Sequence, residues 1–210
     1  MKKTAGFLLL LFSFPTYSQQ SGLTCIDSFP SVKFDIRYAS TNNFAGKNIY
    51  GDRKTTFLHA IAAERLQKAS MLLQAMKPGW KIVVFDALRP LSAQKTLWEV
   101  VRGTPNWKYV ATPGGTSLHN YGLAVDLTLE DELGRRIDMG TDYDDFSPLS
   151  EPRNEEAMLH TGKLSPLQVA NRRFLRDIMK RAGWRTIKNE WWHFEVFRRE
   201  HVKGRFKLIE

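Results

Sequence analysis

Along this chain the apolar residues change period in ways that mark out its elements. Leu58, Ala62, Leu66, Ala69, Leu73 and Met76 recur at steps of three and four, the signature of one face of an amphipathic helix. Lys77-Pro78-Gly79 ends it. Lys81 to Phe85 is a short valine-rich run that reads as a buried strand. Arg89-Pro90 closes it, because a residue before proline disfavours helix. Ser92 is placed to cap a second helix carrying Ala93, Leu97, Val100 and Val101 and stopped at Gly103. Residues 103–118, with Pro105, Pro113 and the Gly114-Gly115 pair, read as loop. From Gly122 to Leu129 the period drops to two: Leu123, Val125, Leu127 and Leu129 point one way, and Ala124, Asp126 and Thr128 the other. Ser165-Pro166-Leu167-Gln168 has the cap, N1 proline and capping-box spacing of a helix start, and the pattern runs through Phe174 and Ile178 to Gly183. Trp184–Ile187 and Trp191–Phe197 read as closing strands. Helices early and late around several short strands predict an α+β fold, a single domain whose small, mainly antiparallel central sheet is flanked by helices.

The start of the chain reads as a targeting segment. Lys2 and Lys3 precede an apolar run from Ala5 to Phe14, Pro15 breaks it, and a cleavage point follows Ser18. The run falls short of the about 20 residues a membrane-crossing helix needs. Residues 1–18 are therefore expected to be a signal peptide and residues 19–210 the mature domain, periplasmic or secreted, with no stable membrane insertion after the signal is removed. No repeat or Pro/Gly/Ser linker divides that domain. The single cysteine, Cys25, excludes an intrachain disulfide and reads as a small buried or free thiol.

Charge narrows the partners. Loss of Lys2 and Lys3 leaves +7 of the formal +9. From Glu130 to Glu156 ten acidic residues face three arginines, and elsewhere basic residues are scattered rather than gathered into a stripe. That pattern argues against nucleic-acid binding. The acidic stretch reads mostly as a solvated loop.

Candidate chemistry gathers on three histidine-bearing or acidic positions. His119 ends a glycine-rich loop. Seven residues later Asp126 is an ionised group on an otherwise apolar strand, where a lone carboxylate would cost several kcal/mol unless paired or metal-bound. Gly122 and Ala124 share its face and leave room for a ligand, and His119 can fold over it. His193 lies in Glu190-Trp191-Trp192-His193-Phe194. Two histidines and a carboxylate match a catalytic zinc site with the fourth position open to water, whereas a structural site would recruit mostly cysteines. Taken singly, His119 reads equally well as a hydrogen-bonded loop histidine, and Asp126 as a cap or half of an ion pair.

Glu190 precedes His193 by three residues, so it must sit at a bend entering the strand. There it is either a general base beside the metal or a solvent-exposed glutamate after the Lys188-Asn189 turn. Trp191 and Trp192 beside it would lower the local dielectric and raise its proton affinity. Arg89, at the strand end in Phe85-Asp86-Ala87-Leu88-Arg89-Pro90, can donate to a developing oxyanion or simply pair with Asp86.

These motifs together resemble one family. Ser-x-His-x-x-Gly-x-Ala-x-Asp over Ser117–Asp126 and Glu-Trp-Trp-His over Glu190–His193 resemble the VanX-like D-alanyl-D-alanine dipeptidases, zinc D,D-peptidases of hedgehog-type fold. The block Asp35-Ile36-Arg37-Tyr38-Ala39-Ser40-Thr41-Asn42-Asn43-Phe44-Ala45-Gly46 looks like that family's N-terminal signature. Asp86–Pro90 looks like its arginine motif, and Met139-Gly140-Thr141 with Asp144 its later loop. The resemblance spans about residues 26–197. It implies one zinc ion on His119, Asp126 and His193, Glu190 as acid/base, Arg89 as transition-state stabiliser, and Tyr38, Ser117 and Asp144 as substrate contacts. Asp144 could pair with a dipeptide's ammonium. The expected activity is hydrolysis of D-Ala-D-Ala or a close D,D- or L,D-dipeptide in wall turnover or dipeptide scavenging, since an exported protein fits poorly with removal of cytoplasmic dipeptide. Two alternatives stay open: a peptidoglycan D,D- or L,D-carboxypeptidase, and a catalytically silent zinc-stabilised wall-binding module like the hedgehog signalling domain.

Overall fold

A computed structural model describes residues 22–53, 55–114 and 117–210. The expected signal peptide, residues 1–18, lies outside the described residues. The fold is α+β, as its pattern predicts. β2 (Val32–Phe34), β4 (Lys81–Asp86), β5 (Ala124–Glu130), β7 (His193–Glu195) and β6 (Arg185–Thr186) form one sheet in the order β2-β4-β5-β7-β6. Only β2–β4 is parallel; the other three pairings are antiparallel. A separate antiparallel ribbon pairs β1 (Leu23–Cys25) with β3 (Phe57–His59). Four α-helices are described: α1 (Ala60–Met76), α2 (Leu91–Val101), α3 (Glu155–His160) and α4 (Pro166–Arg181).

β5 sits in the middle of the sheet, and every residue in it is buried. Its apolar residues Val125, Leu127 and Leu129 share one core with Leu66 and Leu73 of α1 and Leu175 and Ile178 of α4, all fully buried. Truncating one such leucine to alanine costs about 2–5 kcal/mol. The other face carries Asp126, Thr128 and Glu130 and is met by the 131–150 loop, where Tyr143 donates to Asp126 and Arg136 bridges to Glu130. The polar half of the alternation is therefore buried too.

Several local expectations shift. The helical face begins later than its spacing predicts: Leu58 belongs to β3, paired with Thr24, while Met76 is exposed. His59 takes the N-cap of α1. Ser92 caps nothing; Pro90 precedes the first turn of α2, which lacks a side-chain cap bond. The expected loop 103–118 holds a 3-10 turn at Pro105–Tyr109. The closing strands are shorter than their apolar runs, because bends at Ile187–Trp192 aim side chains into the site. The capping box of α4 forms as expected, with Ser165 accepting from the Gln168 N–H and Gln168 from the Ser165 N–H.

The acidic stretch is not mostly solvated. Glu130, Asp131, Glu151 and Glu155 are buried, and each is compensated: Glu130 by Lys33, Asp131 by Arg135, Glu151 by Arg153 and Glu155 by Arg176. Burying a carboxylate without such a partner would cost several kcal/mol. Cys25 is a half-buried free thiol on β1. Among the described residues, no helix is long and apolar enough to cross a membrane.

Candidate active site

Strand register builds the centre of the site. Asp126 is the ladder partner of His193 on β7 and, across a bulge between Val84 and Asp86, of Asp86 on β4. Residues directly opposite in an antiparallel pair share a face, so Asp126, His193 and Asp86 project together. His119 arrives from the 3-10 turn Leu118–Tyr121 immediately before β5. Gly122 ends that turn at φ 65°, and a Cβ there would stand 2.7 Å from the His59 amide. The glycine makes room for backbone, with His59 N–H donating to the Gly122 carbonyl at 2.9 Å, rather than for a ligand as its place on the strand face suggests.

The three donor atoms converge. His119 Nε2 lies 3.2 Å from His193 Nδ1 and 3.3 Å from Asp126 Oδ1, and His193 Nδ1 lies 2.8 Å from the same oxygen. Metal–ligand bonds of about 2.0–2.1 Å at tetrahedral angles would separate ligand atoms by about 3.3 Å. The second ring nitrogens also fit. His119 Nδ1 donates to the Ala87 carbonyl at 2.7 Å, which leaves Nε2 as a lone pair facing the others. His193 Nε2 lies 3.3 Å from Glu195 Oε1, which frees Nδ1. Such outer partners fix tautomer and ring orientation at metal centres. All three residues are buried and could hold a metal ion.

The electrostatics ask for positive charge at this point. Burial opposes the charge on His193, but hydrogen bonds to Asp126 and Glu195 outweigh it and push its pKa up to about 10. Burial likewise opposes the Asp126 charge, yet His119 and His193 hold that carboxyl well below the usual range. A cation seated between the three would answer the same demand.

Glu190 stands where the bend before β7 was expected to put it, its Oε2 3.9 Å from His193 Nδ1. Desolvation raises its pKa to about 7, against the pull of His193; the reading as an exposed glutamate does not hold. Arg89 makes the ion pair with Asp86 that its place at the strand end offers. Its Nε and Nη2 donate to Asp86 Oδ2 at 2.9 and 2.6 Å, and Nη2 lies 3.8 Å from Asp126 Oδ2 at the cavity wall. Tyr38 donates to the Asp144 carboxylate at 3.1 Å, beneath the Arg89 guanidinium. Desolvation and the neighbouring Asp126 charge push the Asp144 pKa well up. One cavity of about 120 Å³ is lined by all eight predicted residues: Tyr38, Arg89, Ser117, His119, Asp126, Asp144, Glu190 and His193.

Other contributors escaped the sequence. Tyr143 donates to Asp126 Oδ2 at 3.1 Å, Tyr50 to Asp86 Oδ1 at 2.5 Å, and Arg89 Nη1 to Gln94 at 2.9 Å. Phe44, Phe146 and Tyr109 close the cavity as a row of rings, 4.9 and 5.0 Å between successive centroids. Only Glu195 had a signal, its place two residues after His193 on the same strand face.

Residues 20–207 match a peptidase family model described as D-ala-D-ala dipeptidase. The chain is 34% identical over 168 residues to the D-alanyl-D-alanine dipeptidase of Escherichia coli K12, covering 80% of each. It is 30% identical over 175 residues to the D-alanyl-D-alanine dipeptidase of Synechocystis sp., covering 69% of this chain and 71% of the other. Identity to the protein of the same name in Enterococcus faecalis is 28% over 186 residues, covering 79% and 86%.

Proposed function

This chain belongs to the D-ala-D-ala dipeptidase family of peptidases, and on that premise we propose that it hydrolyses D-alanyl-D-alanine, or a close D,D- or L,D-dipeptide, using one zinc ion held by His119, Asp126 and His193. The observation that carries this reading is the convergence of those three donor atoms beside Glu190 and Arg89 in one small cavity. A bound zinc ion supplies a Lewis acid that polarises the scissile carbonyl and acidifies water.

The remaining work falls to the chain. Glu190, adjacent to the converging donors, takes the proton of the attacking water and returns it to the departing amine. The Arg89 guanidinium, held by Asp86 and Gln94, donates to the oxyanion that develops on the carbonyl. Asp144 accepts the dipeptide's ammonium, and Tyr38 and Ser117 supply hydroxyl contacts around it. The ring row of Phe44, Phe146 and Tyr109 limits the length of what fits, which favours a free dipeptide over a peptidoglycan stem. The basic, apolar start of the chain supports action outside the cytoplasm, on dipeptide released from the wall.

The test is hydrolysis of D-Ala-D-Ala and of a stem pentapeptide ending in D-Ala-D-Ala, each with and without chelator. Chelator-sensitive cleavage of the dipeptide alone is expected. Preference for the pentapeptide would make the protein a carboxypeptidase, and metal binding without any cleavage a wall-binding module.

A further inference from the structure

The loop that carries Tyr143 and Asp144 has an unusual anchor. Asp144 sits at φ 60°, a left-handed conformation that residues other than glycine adopt seldom and that its surroundings must hold. Arg172, on α4, is 1% exposed and reaches both ends of this loop. Its Nε donates to the Met139 carbonyl at 2.6 Å and its Nη1 to the Leu149 carbonyl at 2.9 Å. Its guanidinium lies 5.8 Å from the centre of the Trp191 ring, and Trp191 Nε1 in turn donates to Thr141 Oγ1 at 2.8 Å. Glu155, 3.7 Å from Nη1, supplies the counter-charge, shared with Arg176. Burial lowers the Arg172 pKa to about 10, so it stays charged at neutral pH. The neighbouring turn of α4 adds to the anchor: Asn171 donates to the Asp138 carbonyl at 2.8 Å and Gln168 to its carboxylate at 2.9 Å. A Cβ at Gly140 would run into Leu164, so the backbone there lies hard against the segment preceding α4.

We propose that Arg172 is a positioning residue for substrate: by tying the Met139 and Leu149 carbonyls to one rigid fork it fixes the span of the loop, and so holds Asp144 against Tyr38 and Tyr143 against Asp126. The role needs arginine. A planar guanidinium serves two separated carbonyls at once, whereas a lysine ammonium at the same Cα can replace only one of the two bonds with comparable geometry. The consequence for turnover rests on the proposed dipeptidase reading, with Asp144 as the ammonium site; the consequence for the loop does not.

The experiment compares wild type, Arg172→Lys and, as a control of similar stability loss, Leu175→Ala, a fully buried residue of the same helix that faces the core. Hydrogen exchange of the 139–149 amides reads the loop directly, and steady-state kinetics on D-Ala-D-Ala read its consequence. Arg172→Lys should exchange faster across 139–149 and raise KM about tenfold, with kcat changed less than about threefold, as loss of one charge-assisted hydrogen bond implies. Leu175→Ala should lower Tm and leave KM alone. Loop exchange at the wild-type rate in Arg172→Lys would overturn the inference, as would an equal rise in KM in Leu175→Ala. If wild type does not cleave the dipeptide, the functional reading fails while the exchange comparison still decides the anchor. Should Arg172→Lys not fold, Arg172→Gln, whose amide can donate to one of the two carbonyls while Glu155 keeps Arg176 as its partner, must loosen the loop, and unchanged exchange in it would overturn the proposal.

Discussion

Asp126 and His193 are ladder partners across β5 and β7, and their facing atoms, Oδ1 and Nδ1, are 2.8 Å apart. Backbone hydrogen bonding, not loop conformation, thus sets the distance between two of the three donors. A sheet is a stiff support, and a ligand pair mounted on it keeps its geometry when metal is absent.

An ion held at such a preorganised site would stabilise the fold. An ion present at a hundred times its Kd stabilises the fold by about 2.7 kcal/mol. At about 2–4 °C per kcal/mol for a domain of this size, chelation should lower Tm by about 5–10 °C, and zinc should restore it. Differential scanning calorimetry of the stripped and reloaded protein checks this. His193→Ala, which loses a donor while its strand survives, should show no response to zinc.

Glu190 touches none of the backbone ladders, so its removal should leave the metal group intact. Glu190→Gln should lower kcat about 10²- to 10⁴-fold, the usual range for a lost general base, with bound zinc unchanged by elemental analysis. Turnover within a few-fold of wild type would remove Glu190 from the chemistry.

Asp86 is fully buried and accepts from Arg89, Tyr50 and the Ala87 amide. Asp86→Ala would strand the Arg89 charge in the protein interior, a loss of about 3–5 kcal/mol when a buried pair is broken from one side. Chemical denaturation should register that cost, and kcat should fall as the guanidinium loses its aim. A variant as stable as wild type would mean that Arg89 finds another partner.

Phe146 joins Phe44 and Tyr109 in the row of rings over the cavity. Phe146→Ala should open the site, raising the ratio of stem-pentapeptide to D-Ala-D-Ala cleavage. An unchanged ratio in a competition assay would show that something other than this ring sets substrate length.

Much of this was legible in the residues. The period-two run of β5 with one ionised position, and the histidines seven residues before it and far downstream, located the donors because an unpaired carboxylate on such a strand is costly. Two bordering tryptophans pointed to a lowered dielectric around Glu190, while a solvent-exposed glutamate after the Lys188-Asn189 turn read equally well. The sheet's second covered face was not legible, because Thr128 and Glu130 look solvated until the 131–150 loop folds over them. Leu58 fitted a helical spacing and went to β3 instead; strand pairing with Thr24 overrode a periodicity that six residues satisfy. Tyr143, Tyr50 and Gln94 meet their partners only through tertiary closure, and nothing in their local sequence marks them.

Titration of metal-free protein with zinc, following D-Ala-D-Ala hydrolysis and bound metal together, probes the central claim most directly. Activity should rise linearly and stop at one equivalent per chain, and Asp126→Ala should give neither binding nor turnover. Full hydrolysis by protein stripped of metal, or by Asp126→Ala, would contradict it.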